Sequence, residues 1–317
     1  MFLQSMLPFS VLSPCTTCKG PVWSWDTFPA FAHASSQKGD AQGGFSAEDV
    51  ELFARFPMVT LEKWQGDHVS PAITEEQAWV HAATQIKTAS PNTTVIVWLD
   101  SFRIYTANTS LNPDLKSACT TGHFAPAEFL ETGGRMDGKL NPHSPYLLKN
   151  SSGLPALESW SGCHIFDNSK AVARDYWTQM CLNLTASGVI DGCGADASWQ
   201  TGIDQVSQWH LDNETARVWD QGHRQMMRTT TQLLRDGVLL GKEAYEVGDY
   251  VNGALCEQCP ASNTTILKLQ NLTAVAAAMG KRLIYECHGC GDMDEIAAFL
   301  IGAGEYHYYG GEEALAA

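Results

Sequence analysis

At 317 residues, 44% hydrophobic and 17% charged, the chain can build one large α/β domain with a full core and is too apolar to be disordered. A net charge of −15 without any Lys/Arg cluster excludes nucleic acid, whose phosphates need cations to neutralise them. No apolar run reaches the roughly 18 residues of a membrane span, so none is expected.

Residues 1–27 read as a leader or N-terminal extension, although 1–13 lack a basic n-region. The first predicted strand is FPAFAHA (28–34). Ser46 then opens a helix with acids in its first turn, and PMVTLEK (57–63) is the second strand. Thr74-Glu-Glu-Gln77 is a capping box before a helix that leads to TVIVWLD (94–100). Residues 101–162 form a long insertion rich in Asn, Pro, Gly and Ser, which is expected to leave the catalytic face. A helix over 167–186 precedes the fourth strand, SGVIDG (187–192). Helix 213–235 and GVLLGK (237–242) follow, then a link too short for a regular helix, and NGALCEQ (252–258). Helix 264–279, stopped by Gly280, leads to RLIYECH (282–288). Helix 293–301 and GEYHYYG (304–310) end the series.

Eight short strands alternating with helices predict parallel strands joined by crossovers, and a (β/α)8 TIM-type barrel over 28–317. An open doubly wound sheet is the alternative, but no G-x-G-x-x-G or P-loop follows any strand.

Seven of the eleven Asn lie in N-x-S/T sequons: Asn92, Asn108, Asn150, Asn183, Asn213, Asn263 and Asn271. Chance predicts about one or two, so a secreted or lumenal glycoprotein is expected. Ten cysteines fit the same oxidising compartment. Three C-x-x-C pairs (15/18, 256/259, 287/290) admit either zinc or disulfides. The export signal favours disulfides, with Cys193 and the last two pairs expected near the barrel mouth. No metal or other cofactor is expected.

In a barrel of this type chemistry sits where strands end, and most predicted strands end in an ionisable residue. These are His33, Glu62, Asp100, Asp191, Glu257, Glu286 with His288, and His307. Salt bridges closing the barrel top are the purely structural reading. Cleavage of a glycosidic bond needs two carboxyl groups flanking it. Parity places Asp191 with Val189 and Glu257 with Leu255, so both could face one substrate; Asp196 could reach it from the loop. Glu62, Asp100, Asp196, Glu286, His288, His307, Trp64 and Trp199 are the candidate substrate-binding residues. Trp25 and Trp98 join Trp64 and Trp199 as candidate aromatic walls.

The segment GVIDGCGAD (188–196) resembles the D-G-V-x-x-D strand-4 motif of several (β/α)8 glycoside hydrolases, in particular the endo-α-1,4-polygalactosaminidase-like and related hypothetical glycosidase families. FPMVTLEKWQG (56–66), the short link after the fifth strand and NGALCEQ (252–258) look like the same group, over roughly residues 28–310. The resemblance implies a catalytic Asp after strand 4 and Glu after strand 6, which map onto Asp191 and Glu257. It leaves the division of labour between Asp191 and Asp196 open. The expected function is secreted glycosidase action on a poly- or oligosaccharide, with Glu257 as proton donor and Asp191 as nucleophile or base. A non-catalytic carbohydrate-binding barrel and a zinc-dependent hydrolase using the C-x-x-C cluster are the alternatives; absence of G-x-S-x-G and H-E-x-x-H disfavours other hydrolases.

Overall fold

The structure, a computed structural model, describes residues 20–34, 40–62, 65, 73, 75–104, 144–158, 163–196, 198, 202, 204–242, 250–256, 259–280, 283–289 and 291–311. Along the chain come β1 (Ala32–Ala34), α1 (Ala47–Phe53), β2 (Met58–Leu61), α2 (Glu75–Ala89), β3 (Thr94–Asp100), β4 (Arg103–Ile104) and β5 (His164–Ile165). They are followed by α3 (Ala171–Thr185), β6 (Gly192–Asp196), α4 (Asn213–Leu233), β7 (Val238–Lys242) and β8 (Gly253–Cys256). The last elements are α5 (Asn263–Met279), β9 (Ile284–Gly289), α6 (Met293–Gly302) and β10 (His307–Gly311).

Eight strands run parallel in the order β1-β2-β3-β6-β7-β8-β9-β10. A bridge between Ala30 and Tyr309 joins the two edges, with Phe31 N donating to Tyr309 O at 3.2 Å and Tyr309 N to Pro29 O at 2.9 Å. The sheet is a nearly closed (β/α)8 barrel, as the alternation of strands and helices predicts. The insertion after the third barrel strand contributes the small antiparallel ribbon β4–β5; its residues 105–143 and 159–162 lie outside the described residues, as does most of the expected leader.

Strand parity divides the core in two. Phe31, Met58, Ile96, Trp98, Val238, Leu240, Leu255, Ile284 and Tyr308 fill the barrel interior. The alternate residues, among them Val59, Val97, Leu99, Leu239 and Tyr285, meet the inner faces of the helices through Trp79, Trp177, Met226 and Phe299. Ser46 caps α1 as expected, and Asp212, Ser262 and Asp292 likewise each accept a backbone N–H three residues on; Thr74 of the expected capping box lies outside the described residues. Gly280, at φ 59°, ends α5 in the left-handed conformation that glycine tolerates best.

Two strand frames differ from expectation. The fourth barrel strand is Gly192–Asp196 rather than 187–192, and the eighth is His307–Gly311 rather than 304–310. Val189 and Ile190 mimic a strand because they are apolar, but they belong to the outer core below the sheet. The strand itself, GCGAD, is small because the Trp98 ring occupies its inner side: a Cβ on Gly194 would fall 1.7 Å from that ring. Both shifts move a carboxylate or imidazole from one end of the barrel to the other. Asp191 and His307 therefore stand at the N-terminal face.

Candidate active site

The C-terminal mouth gathers inward-facing polar residues from consecutive strands. Asp100 ends β3 in register with Asp196, which ends β6. Lys242 ends β7 with its Nζ 3.1 Å from Asp196 Oδ1. Arg103, just past β3, reaches three carboxylates. It donates from Nη1 to Asp100 Oδ2 (3.0 Å) and grips Glu158 through Nε (2.7 Å) and Nη2 (3.1 Å). Its Nη1 also lies 3.9 Å from Asp196 Oδ2. Asp100 Oδ1 additionally accepts the backbone N–H of Arg103 at 2.7 Å and of Phe102 at 3.1 Å. The three carboxylates are almost fully buried, and only paired cations make that arrangement tolerable.

Across the mouth, His33 Nδ1 lies 3.0 Å from His288 Nε2. His33 Nε2 is 2.8 Å from Glu62 Oε2, an ion-pair contact by distance rather than an aligned hydrogen bond. His33 thus stands between Glu62 on one side and His288 on the other. Burial, with His33's charge adding to it, holds the His288 imidazole well below its ordinary value. Glu286 is fully buried; its Oε1 accepts from Thr60 Oγ1 at 2.7 Å and its Oε2 has no hydrogen-bond partner among the described residues. Burial pushes this carboxyl up to about 7, against the opposing effects of His33 and the Thr60 hydrogen bond.

Of the residues expected from sequence, Glu62, Asp100, Asp196, Glu286 and His288 thus come together. Asp191 does not. Its Oδ2 accepts from Val95 N (2.8 Å) and pairs with Lys87 Nζ (2.6 Å) at the N-terminal face, so the expectation that it ends its strand is corrected. His307 likewise begins β10, buried, with Nδ1 accepting from Gly304 N at 3.1 Å. Trp98 lines the barrel interior with its ring centroid 6.0 Å from that of His33, whereas Trp25 packs on Trp23 near Tyr306 at the N-terminal face, away from the mouth. Glu257, Trp64, Trp199 and Asn108 lie outside the described residues.

Arg103, Glu158 and Lys242 were not among the expected site residues. Lys242 was within reach, because Val238, Leu240 and Lys242 alternate onto the inner face. Arg103 and Glu158 lie in an insertion without periodicity, where only the fold brings them under the mouth.

Cysteine placement also separates the alternatives. Cys259 is bonded to Cys287, so one thiol from each of two C-x-x-C pairs is consumed in a disulfide. A four-thiol zinc site built from those pairs is therefore incompatible with this structure. Cys193 is not at the mouth; it points outward from β6 and is bonded to Cys181 of α3. Five sequon residues, Asn92, Asn183, Asn213, Asn263 and Asn271, are exposed, and Asn150 is half-buried.

No curated protein matches the sequence. Among solved structures, the chain is similar to the galactosidase domain of the alpha-galactosidase-sucrose kinase AgaSK, with 12% identity, a TM-score of 0.51, and coverage of 91% of this chain and 38% of that one. It is also similar to the glycoside hydrolase domain of PelA from Pseudomonas aeruginosa (11% identity, TM-score 0.42, 83% of each chain). A third is the GH36 alpha-galactosidase AgaA from Geobacillus stearothermophilus (11% identity, TM-score 0.44, 89% of this chain and 38% of that one). At such identities the likeness concerns the fold. The sequence itself goes further: residues 87–314, from the end of α2 past the last strand, match hypothetical glycosyl hydrolase family 15. A match that spans most of the barrel and includes Asp100, Arg103, Asp196, Lys242 and Glu286 makes the chain a member of hypothetical glycosyl hydrolase family 15.

Proposed function

We propose that the protein is a secreted, N-glycosylated glycoside hydrolase acting on a poly- or oligosaccharide, with Asp196 in the catalytic role that sequence alone gives to Asp191. The observation that carries this reading is the position of Asp196: it ends the fourth barrel strand, in register with Asp100, with Lys242 Nζ 3.1 Å away. A lysine cation at that distance favours the ionised carboxylate, the form needed to attack an anomeric carbon or to activate water. Glu257, next in sequence after the last residue of β8, keeps the proton-donor role on sequence grounds. Asp100, Glu62 and His288 are proposed to bind sugar hydroxyls. Exposed sequons and disulfides support export.

The test is release of reducing ends from a panel of polysaccharides, with the anomer of the first product read by NMR. Asp196→Asn and Glu257→Gln should each lower turnover at least about a hundredfold, while Asp191→Asn should keep most of it. Near-normal turnover by Asp196→Asn would overturn the assignment. The charge-compensated network of Asp100, Arg103, Glu158, Asp196 and Lys242 favours a second reading, a carbohydrate-binding barrel without catalysis. Saturable binding of a glycan without cleavage would select it.

A further inference from the structure

The N-terminal face of the barrel carries a hollow of about 280 Å³, lined in part by Trp23, Phe28, Pro57, Ser90, Asn92 and Tyr308. At roughly 30 Å³ of liquid per water, that is room for about nine waters, or one sugar ring. Val22 and Phe28, both in the lining, are 70% and 45% exposed, so part of the wall is apolar surface open to a ligand. Trp23, also in the lining, is braced by Trp25, whose ring stands edge-on to it with centroids 4.6 Å apart.

Asn92 is itself a lining residue of this hollow, exposed in the turn between α2 and β3. It is also a sequon acceptor, in Asn92-Thr93-Thr94. We propose that an N-linked glycan on Asn92 seats its first sugar in this hollow, so that the modification covers the base of the barrel. The chemistry fits one acetylated hexosamine. Its apolar C–H face can lie on an aromatic ring of the lining while its hydroxyls remain solvated. Among the other described sequons, Asn183 lines a separate hollow between α2 and α3, beside Val80, Tyr176 and Met180, while Asn150, Asn213, Asn263 and Asn271 line neither hollow.

This inference rests on the reading that the protein is exported and glycosylated, and the experiment separates the two. The full chain is made in a eukaryotic secretory host, and sequon occupancy is mapped by mass spectrometry. Asn92 should be occupied. Trimming every glycan to its first sugar should leave Tm unchanged, whereas complete removal should lower it by about 2–4 °C. Asn92→Gln should reproduce that loss, and Asn263→Gln should not. Val22→Ala should cost stability in the glycosylated protein and little more in the Asn92→Gln background, since Val22 lines the hollow and is 70% exposed, so both changes remove one contact. Equal effects of Asn92→Gln and Asn263→Gln, or occupied sites elsewhere with Asn92 bare, would overturn the inference while leaving export intact. No occupancy at any sequon would overturn both.

Discussion

Asp196 and Asp191 stand at opposite ends of β6: one closes the strand 3.1 Å from Lys242 Nζ, the other precedes it and holds Lys87 Nζ at 2.6 Å. In a (β/α)8 barrel the C-terminal end carries chemistry and the N-terminal end carries stability. The two carboxylates should therefore fail differently. Asp191→Asn removes an ion pair and weakens the acceptor for Val95 N, and should cost about 1–3 kcal/mol of stability with turnover largely kept. Asp196→Asn should do the reverse. Parallel thermal melts and reducing-end assays of both variants check it, and loss of activity in both with matched Tm would contradict the division.

Arg103 is the cation on which the insertion side of the mouth depends. Its guanidinium bonds Asp100 and Glu158, both essentially inaccessible to water. Arg103→Ala should cost about 3–5 kcal/mol, because it takes the guanidinium from two buried carboxylates. Arg103→Lys should recover only part of that, since an ammonium cannot hold Glu158 through two parallel N–H bonds. Urea denaturation of the three proteins measures the series; a lysine variant as stable as the parent would contradict the fork geometry.

Much of this architecture was legible in the sequence, and the failures have specific physical causes. Runs such as TVIVWLD are strands over their whole length, Thr94–Asp100, because branched and apolar residues leave little ambiguity. GCGAD was not legible, since its small residues are explained only by the Trp98 ring that fills the space beside Gly194. That single frame shift displaced Asp191 from the mouth and promoted Asp196. Glu286 and His288 were legible because their alternation with Tyr285 and Cys287 fixes which face they share. Arg103 and Glu158, 55 residues apart, leave no such trace.

The disulfides make a separable prediction. Cys181–Cys193 ties α3 to β6, and Cys259–Cys287 ties the segment after β8 to β9, reinforced by Cys259 N donating to His288 O at 2.9 Å. Loops of 12 and 28 residues correspond to about 3 kcal/mol each in the chain-entropy account. Reduction should lower Tm by several degrees and EDTA should not. Cys259→Ser should in addition perturb activity more than Cys181→Ser, because Glu286 and His288 flank Cys287. A chelator-sensitive fold would contradict the pairing.

The last prediction concerns the proton on Glu286. Its carboxyl is raised from an ordinary value of 4.5 to about 7 by burial, and Oε2 has no hydrogen-bond partner among the described residues. The folded protein therefore holds a proton that the unfolded chain releases between about pH 4.5 and 7, so this group's contribution to stability falls as pH rises through that window. Four buried histidines act with the opposite sign. His164, His223 and His307 are lowered to about 4 by burial and His288 well below its ordinary value, so folded protein resists protonation there and stability falls as pH drops from 6.5 towards 4. The whole-protein profile is the sum of these opposing slopes, and only a difference isolates Glu286. Gln mimics the protonated carboxyl and keeps an acceptor for Thr60. Relative to the parent, Glu286→Gln should gain stability with rising pH, by an amount on the order of 3 kcal/mol between pH 4.5 and 8. Urea midpoints of both proteins across pH 4–8 provide the test. A constant difference over that range would mean that Glu286 is not the titrating group in the barrel mouth.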